Sequence, residues 1–135
     1  MSPSIKQGEK VTVDYTAYAV AAPKRWDVVV FEPPMITNQV LAMRVVALPG
    51  ETVAFATGGI TLNGKRLILP PHVPNVTYVA MDHPALQRGT GGIVSPYVVP
   101  TNSYFVLGDN STIAYDSRFW GAVPRNSVLG RVKNK

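Results

Sequence analysis

The chain has 135 residues, no cysteine and a formal net charge of +5 at pH 7. This length is typical of one domain with a substantial core, and 46% hydrophobic residues exclude a disordered chain. The lack of cysteine excludes disulfide bonds and thiolate metal sites. No apolar run reaches the roughly 18 residues of a membrane-spanning helix. We therefore expect a soluble domain that carries no signal peptide of its own.

The basic residues are most frequent in "VPRNSVLGRVKNK", residues 123–135, which holds two arginines and two lysines. No aromatic residues alternate with these charges, so the pattern favours a solvated basic surface and not a nucleic-acid site. A nucleic-acid-binding barrel stays a remote alternative, and we expect no nucleic-acid partner.

Eleven glycines and twelve prolines leave few windows for a long helix. Short β-branched runs between them predict strands. In chain order these runs are "KVTVDYTAYAV", "DVVVFEP", "VLAMRVVAL", "ETVAFAT", "ITLNG", "SPYVVP", "SYFVLG" and "SVLGRVK". Alternation places Val11 and Val13 on one strand face, whereas the continuous runs "DVVVF" and "MRVVAL" indicate strands buried on both sides.

Two pairs of residues, Gly58-Gly59 and Asn63-Gly64, predict tight hairpin turns. The segment 70–92, rich in Pro, His, Asn and Gly, is the least regular part of the sequence. We interpret residues 1–135 as a single domain, with a hairpin-and-loop extension inserted at about 56–94.

Four stretches, taken in order, resemble motifs of the signal peptidase I family. "MSPSIKQGEKV" resembles the Met-x-Pro-Thr/Ser-Leu/Ile segment that follows the family's nucleophilic serine, and "RWDVVVFEPP" its Gly-Asp-Ile-Val-Val-Phe strand. "MRVVALPGETV" resembles Lys-Arg-Val-Val-Gly-Leu-Pro-Gly-Asp, and "LGDNSTIAYDSRFWGAVP" resembles Gly-Asp-Asn-Arg-x-x-Ser-x-Asp-Ser-Arg-x-x-Gly. The resemblance implies a mostly β fold of coiled antiparallel sheets, like that of signal peptidase I and LexA.

The resemblance also implies a chemistry, the cleavage of signal peptides from exported proteins at a membrane surface. In this family a neutral, desolvated lysine takes the proton of the serine nucleophile, and a second serine orients that lysine. Here the lysine position holds Met43 and the orienting serine position holds Ala114. The nucleophile position precedes Met1, and Ser2, the nearest substitute, is out of register by two residues. We therefore expect the chain as given to be inactive, with no cofactor and no metal.

Other motif positions keep their family residues. By resemblance, Arg44, Asp109, Asp116 and Arg118 form ion pairs that brace the loop, and Ser117 adds a bracing hydroxyl. The shallow substrate pockets of the family would be lined here by Ile5, Val30 and Ala42. His72 and His83 lack the spacing of a catalytic or metal site and are interpreted as surface loop residues, with an Asp82–His83 dyad as a remote alternative.

Two functional classes remain open. One is a degenerate signal peptidase I-like domain that still holds an extended, signal-peptide-like segment in its groove. The other is a non-catalytic β module that binds a protein partner. A membrane surface is a further partner under the first hypothesis, which places the domain on the outer face of a bacterial-type or organellar membrane if a transmembrane anchor precedes it.

Overall fold

Ten strands and one short α-helix make up the regular structure of the described residues. The computed structural model describes residues 1–56, 59–73, 76–81 and 92–135. The strands are β1 (Val13–Asp14), β2 (Val28–Phe31), β3 (Leu41–Ala47), β4 (Thr52–Ala56), β5 (Gly59–Leu62), β6 (Lys65–Arg66), β7 (Tyr97–Val98), β8 (Ser103–Leu107), β9 (Val123–Pro124) and β10 (Val128–Val132). Helix α1 spans Ser117–Trp120, and a 3₁₀ turn spans Arg125–Ser127. The predicted mostly β fold is confirmed, and no helix in these ranges is long and apolar enough to cross a membrane.

The larger sheet has six strands in the order β1-β10-β2-β3-β8-β9, with every pair antiparallel. Its centre is the pair β2 and β3, in which Val29 faces Met43 and Val30 faces Ala42. All four residues of β2 and the last five of β3 are buried. The prediction from their continuous apolar runs is therefore confirmed, because both faces of the central strands are covered.

The two faces of β3 have different neighbours. Met43 and Val45 belong to a core cluster with Phe31 and Val106. The opposite face packs Ala42 against a smaller cluster that contains Val30. The side chains of the adjacent residues Ala42 and Met43 therefore pack against different clusters.

Strand β3 is paired along both edges over only part of its length. Strand β2 pairs with it from Leu41 to Arg44, while β8 pairs with it from Arg44 to Ala47. Strand β8 ends at Leu107, opposite Arg44. Within the described residues, the backbone of residues 41–43 is thus paired with a strand on one edge only.

The smaller sheet has four strands in the order β6-β5-β4-β7. The predicted Asn63-Gly64 turn joins β5 to β6, and both residues have a positive φ, 51° and 80°. Gly58 of the other predicted turn lies outside the described residues. One face of this sheet packs Val53 and Ile60 against a core cluster that Phe105 of the larger sheet shares, so a common core joins the two sheets.

Candidate functional site

Three parts of the chain, called walls here, line an open cleft of about 500 Å³ beside residues 41–43 of β3. They are the segment 1–7, residues 42–43 of β3 and the loop 108–115. The structure therefore brings together Met43, Ala114, Ile5 and Ala42, which the sequence motifs had singled out. The full set of lining residues is Met1, Ser2, Ile5, Lys6, Gln7, Ala42, Met43, Gly108, Asn110, Ile113, Ala114 and Tyr115.

Met43 is 8% exposed, and its side chain packs in the core cluster with Phe31 and Val29. Its thioether fills an apolar slot but cannot accept a proton from a hydroxyl at neutral pH, as an amine could. Val30 does not line the cleft: it is 7% exposed and packs behind it, in the cluster with Ile5 and Ala42.

Ala114 lies on the opposite wall, where its N–H donates to the carbonyl oxygen of Asn110 at 2.9 Å. The loop is closely packed here, because a Cβ added to Gly108 would lie 2.5 Å from the Ala114 Cβ. Ser2 is exposed at the cleft. Neither Met43 nor Ala114 offers that serine a basic group.

A buried ion pair joins the loop to β3. Arg44 Nη2 donates to Asp109 Oδ2 at 2.7 Å, and Arg44 Nε to Asp109 Oδ1 at 3.1 Å. The side chains of the two residues are 1% and 0% exposed. Two hydroxyls also donate to this carboxylate, that of Ser4 and, at 2.6 Å, that of Tyr78. The Asp109 carboxylate is therefore the meeting point of the segment 1–7, β3 and the loop.

A second buried ion pair lies within the loop itself. Arg118 binds Asp116 through Nε and Nη2, each at 2.9 Å, and both side chains are fully buried. Asp116 also accepts a hydrogen bond from the Gly108 N–H at 3.1 Å, which closes the loop between 108 and 116. The Ser117 hydroxyl accepts from the Val106 N–H at 2.9 Å and so fixes the start of α1 against β8.

The second pair also holds the segment 76–81. Arg118 Nη1 donates to the Val79 carbonyl oxygen at 2.9 Å, and the Ser111 hydroxyl accepts from the Val79 N–H at 2.9 Å. Tyr78, Val79 and Ala80 are all buried. This segment therefore packs directly behind the loop that forms one wall of the cleft.

The state of the Tyr78 hydroxyl follows from its surroundings. Burial raises the pKa of Tyr78, and the neighbouring Asp109 carboxylate raises it further. The hydroxyl is thus a neutral donor throughout the physiological range, which is what its short bond to Asp109 requires.

Several residues of this network had no role in the sequence prediction. Ser4 occupies the Thr/Ser position of the first motif, so the motif could have drawn attention to it. Ser111 and Tyr78 carried no comparable signal. His72 is exposed, while Asp82 and His83 lie outside the described residues. No group of three or more metal-ligating His, Cys, Asp or Glu residues occurs in the ranges that the structure describes.

Known signal peptidases are similar to this chain over nearly its whole length. A signal peptidase I from Leptolyngbya laminosa is 34% identical over 139 residues, covering 97% of this chain, and signal peptidase I V of Bacillus subtilis is 29% identical over 99% of this chain. The chain spans 61% of the length of the first relative and 79% of the second. The crystal structure of an Enterococcus faecalis signal peptidase I has 31% sequence identity and a TM-score of 0.60, covering 81% of this chain and 95% of that one. Because the model of the signal peptidase S26 family matches residues 1–135, the chain belongs to that family.

Proposed function

We propose that this domain binds an extended peptide in its cleft and does not cleave it. The observation that carries the proposal is the backbone edge of β3 at residues 41–43, which no other described strand pairs and which lies between two walls. A peptide can add to such an edge as a further strand through main-chain hydrogen bonds. The relatives are named signal peptidases, so the peptide class that we propose is a signal-peptide-like segment.

The loss of cleavage is proposed from two positions inside the chain. A serine hydroxyl at pH 7 is a weak nucleophile unless a neighbouring base takes its proton. The family position of the general-base lysine holds Met43, which has only a thioether. The family position of the serine that orients the lysine holds Ala114, which has only a methyl group. General-base assistance of this kind is worth about 10²- to 10⁴-fold in rate.

The cleft walls also favour particular peptide side chains. Ala42 and Ala114 are small, and Ile5 and Met43 are apolar, so shallow apolar pockets suit small residues at alternate peptide positions. Val30, behind Ala42, supports the wall from the core. We place the domain on the outer face of a membrane if an anchor segment precedes residue 1 in the full protein.

Fluorescence anisotropy with a labelled peptide that ends in Ala-x-Ala tests the binding. Ala42→Leu should abolish binding, because the larger side chain fills the cleft beside the open edge. Ala54→Leu is the matched control, since Ala54 is equally half-buried on a strand but lies in the smaller sheet. A folded parent chain that does not bind the peptide would contradict the proposal and favour a β module for a protein partner.

A cleavage assay tests the second half of the proposal. The parent chain should leave the peptide intact, as seen by mass spectrometry. A variant with a serine added before Met1, together with Met43→Lys and Ala114→Ser, restores the three family positions and should gain specific cleavage. Specific cleavage by the parent chain would refute the assignment of a non-cleaving domain.

A further inference from the structure

We propose that Tyr78 is a positioning residue of the cleft, which sets the spacing of its walls through Asp109 without touching the cleft itself. The residue comes from the segment 76–81, and it is absent from the set of residues that line the cleft. Its hydroxyl reaches Asp109 across 31 positions of sequence.

Asp109 is the joint between all three walls. Ser4, which donates to Asp109 Oδ2, stands next to Ile5 of the first wall. Arg44, which binds both carboxylate oxygens, follows Met43 of the second wall. Asp109 itself lies between Gly108 and Asn110 of the third. A rotation of this one carboxylate therefore changes the distances between the three walls.

Tyr78 is also held by contacts that do not involve the Asp109 carboxylate. The N–H of its neighbour Val79 donates to the Ser111 hydroxyl, and the Val79 carbonyl oxygen accepts from Arg118 of the second ion pair. Tyr78 is 6% exposed as a residue and packs in the core cluster with Phe105. The hydroxyl is thus presented to Asp109 from a fixed backbone.

Removing this hydroxyl loosens one side of the carboxylate. Among the described residues, Asp109 Oδ1 then keeps the Arg44 Nε bond of 3.1 Å, while Oδ2 keeps its bonds from Arg44 Nη2, Arg44 Nε and Ser4. The carboxylate then turns more freely about its Cβ–Cγ bond, and the bond to Ser4 is no longer held in a single geometry. We expect the first wall to move relative to the loop.

Spin labels on opposite walls measure this directly, without any ligand. The chain has no cysteine, so Gln7→Cys and Ile113→Cys introduce two unique attachment sites. Tyr78→Phe should broaden the distribution of distances between the two nitroxides. Tyr18→Phe is the matched control, because it deletes the same kind of bond, from a buried tyrosine to Asp27 at 2.8 Å, and should leave the distribution unchanged.

The outcomes decide the proposal. A distance distribution that coincides with the parent's in folded Tyr78→Phe overturns it, and so does loss of the parent's near-ultraviolet circular dichroism, which would make Tyr78 a residue of the fold alone. In unlabelled protein, Tyr78→Phe should weaken binding of the Ala-x-Ala peptide about tenfold, which corresponds to about 1.4 kcal/mol. This last arm rests on the proposed function: a parent that binds no peptide refutes that function, while the nitroxide distances still test Tyr78.

Discussion

Replacing Asp116 by alanine should destabilise the domain far more than an ordinary substitution in a loop, because the residue is buried. The carboxylate is fully buried and makes two bonds of 2.9 Å to Arg118. It also accepts from the backbone of Gly108 and Arg118, at 3.1 and 3.2 Å. Asp116→Ala leaves the buried Arg118 guanidinium without a counter-charge, and breaking such a pair costs about 3 to 5 kcal/mol.

Urea unfolding followed by tryptophan fluorescence measures this cost. With a denaturant slope of about 2 kcal/mol per molar urea, the midpoint should fall by about 2 M. The slope itself should stay unchanged, since the variant buries nearly the same surface. Glu9→Gln is the control, because it breaks the Glu9–Lys135 pair, whose side chains are 32% and 25% exposed, and should leave the midpoint near the parent's.

A midpoint for Asp116→Ala that coincides with the parent's would refute this reasoning. It would mean that Arg118 is satisfied by its bonds to Val79 and Ser111 without a carboxylate. The loop would then be held by neutral hydrogen bonds, and the ion pair would contribute nothing to the fold.

Three further outcomes follow from the same contacts. Gly108→Ala should lower the free energy of unfolding by about 1 to 3 kcal/mol, as measured with urea, because the new Cβ would lie 2.5 Å from that of Ala114. Adding Ala114→Gly to this variant should restore most of the lost stability, and no rescue would mean that the clash is not the cause. Met43→Lys should be least stable at low pH, because burial favours the neutral amine. Its free energy of unfolding should rise by up to about 1.4 kcal/mol per pH unit as the pH rises toward the ordinary lysine pKa. Met43→Leu is the uncharged control, and a urea midpoint of Met43→Lys that does not change with pH would show that the slot is hydrated. Burial raises the pKa of both Tyr18 and Tyr78, so above about pH 10 the unfolded chain releases two protons that the folded chain keeps. The free energy of unfolding should therefore fall by up to about 2.7 kcal/mol per pH unit. The variant with both tyrosines replaced by Phe should lack this contribution, and an equally steep fall in that variant would assign the effect to other groups.

The central strands could be predicted because they are encoded locally. Continuous apolar runs mark β2 and β3, and such runs suit a strand covered on both faces. The first predicted strand is much shorter than its β-rich sequence, since only Val13–Asp14 pairs, with β10. Beyond it, Tyr15 is 68% exposed and Val20 fully exposed. Residue type indicates a preference for extended backbone, but only a partner strand completes the hydrogen bonds.

The candidate site was predictable only where motifs carry it. The resemblance to the family motifs assigned Met43 and Ala114 to catalytic positions, and the structure shows both lining one cleft. The contact of Ser4 with Asp109 spans 105 positions, and that of Tyr78 spans 31. No periodicity encodes such contacts, because they depend on how the sheets and the loop pack together.

The outer strands of both sheets bear on how the protein behaves at high concentration. In the part of the chain that the structure describes, β1 and β9 end the larger sheet, and β6 and β7 end the smaller one, each with two residues. A growing aggregate of sheets needs a long, flat edge on which the next copy can pair. Edges this short give an incoming strand only two residues to pair with, and in β6 both are exposed cations, Lys65 and Arg66. Edge-to-edge polymerisation of the folded domain is therefore disfavoured, and the unpaired stretch of β3 at residues 41–43 lies between the walls of the cleft.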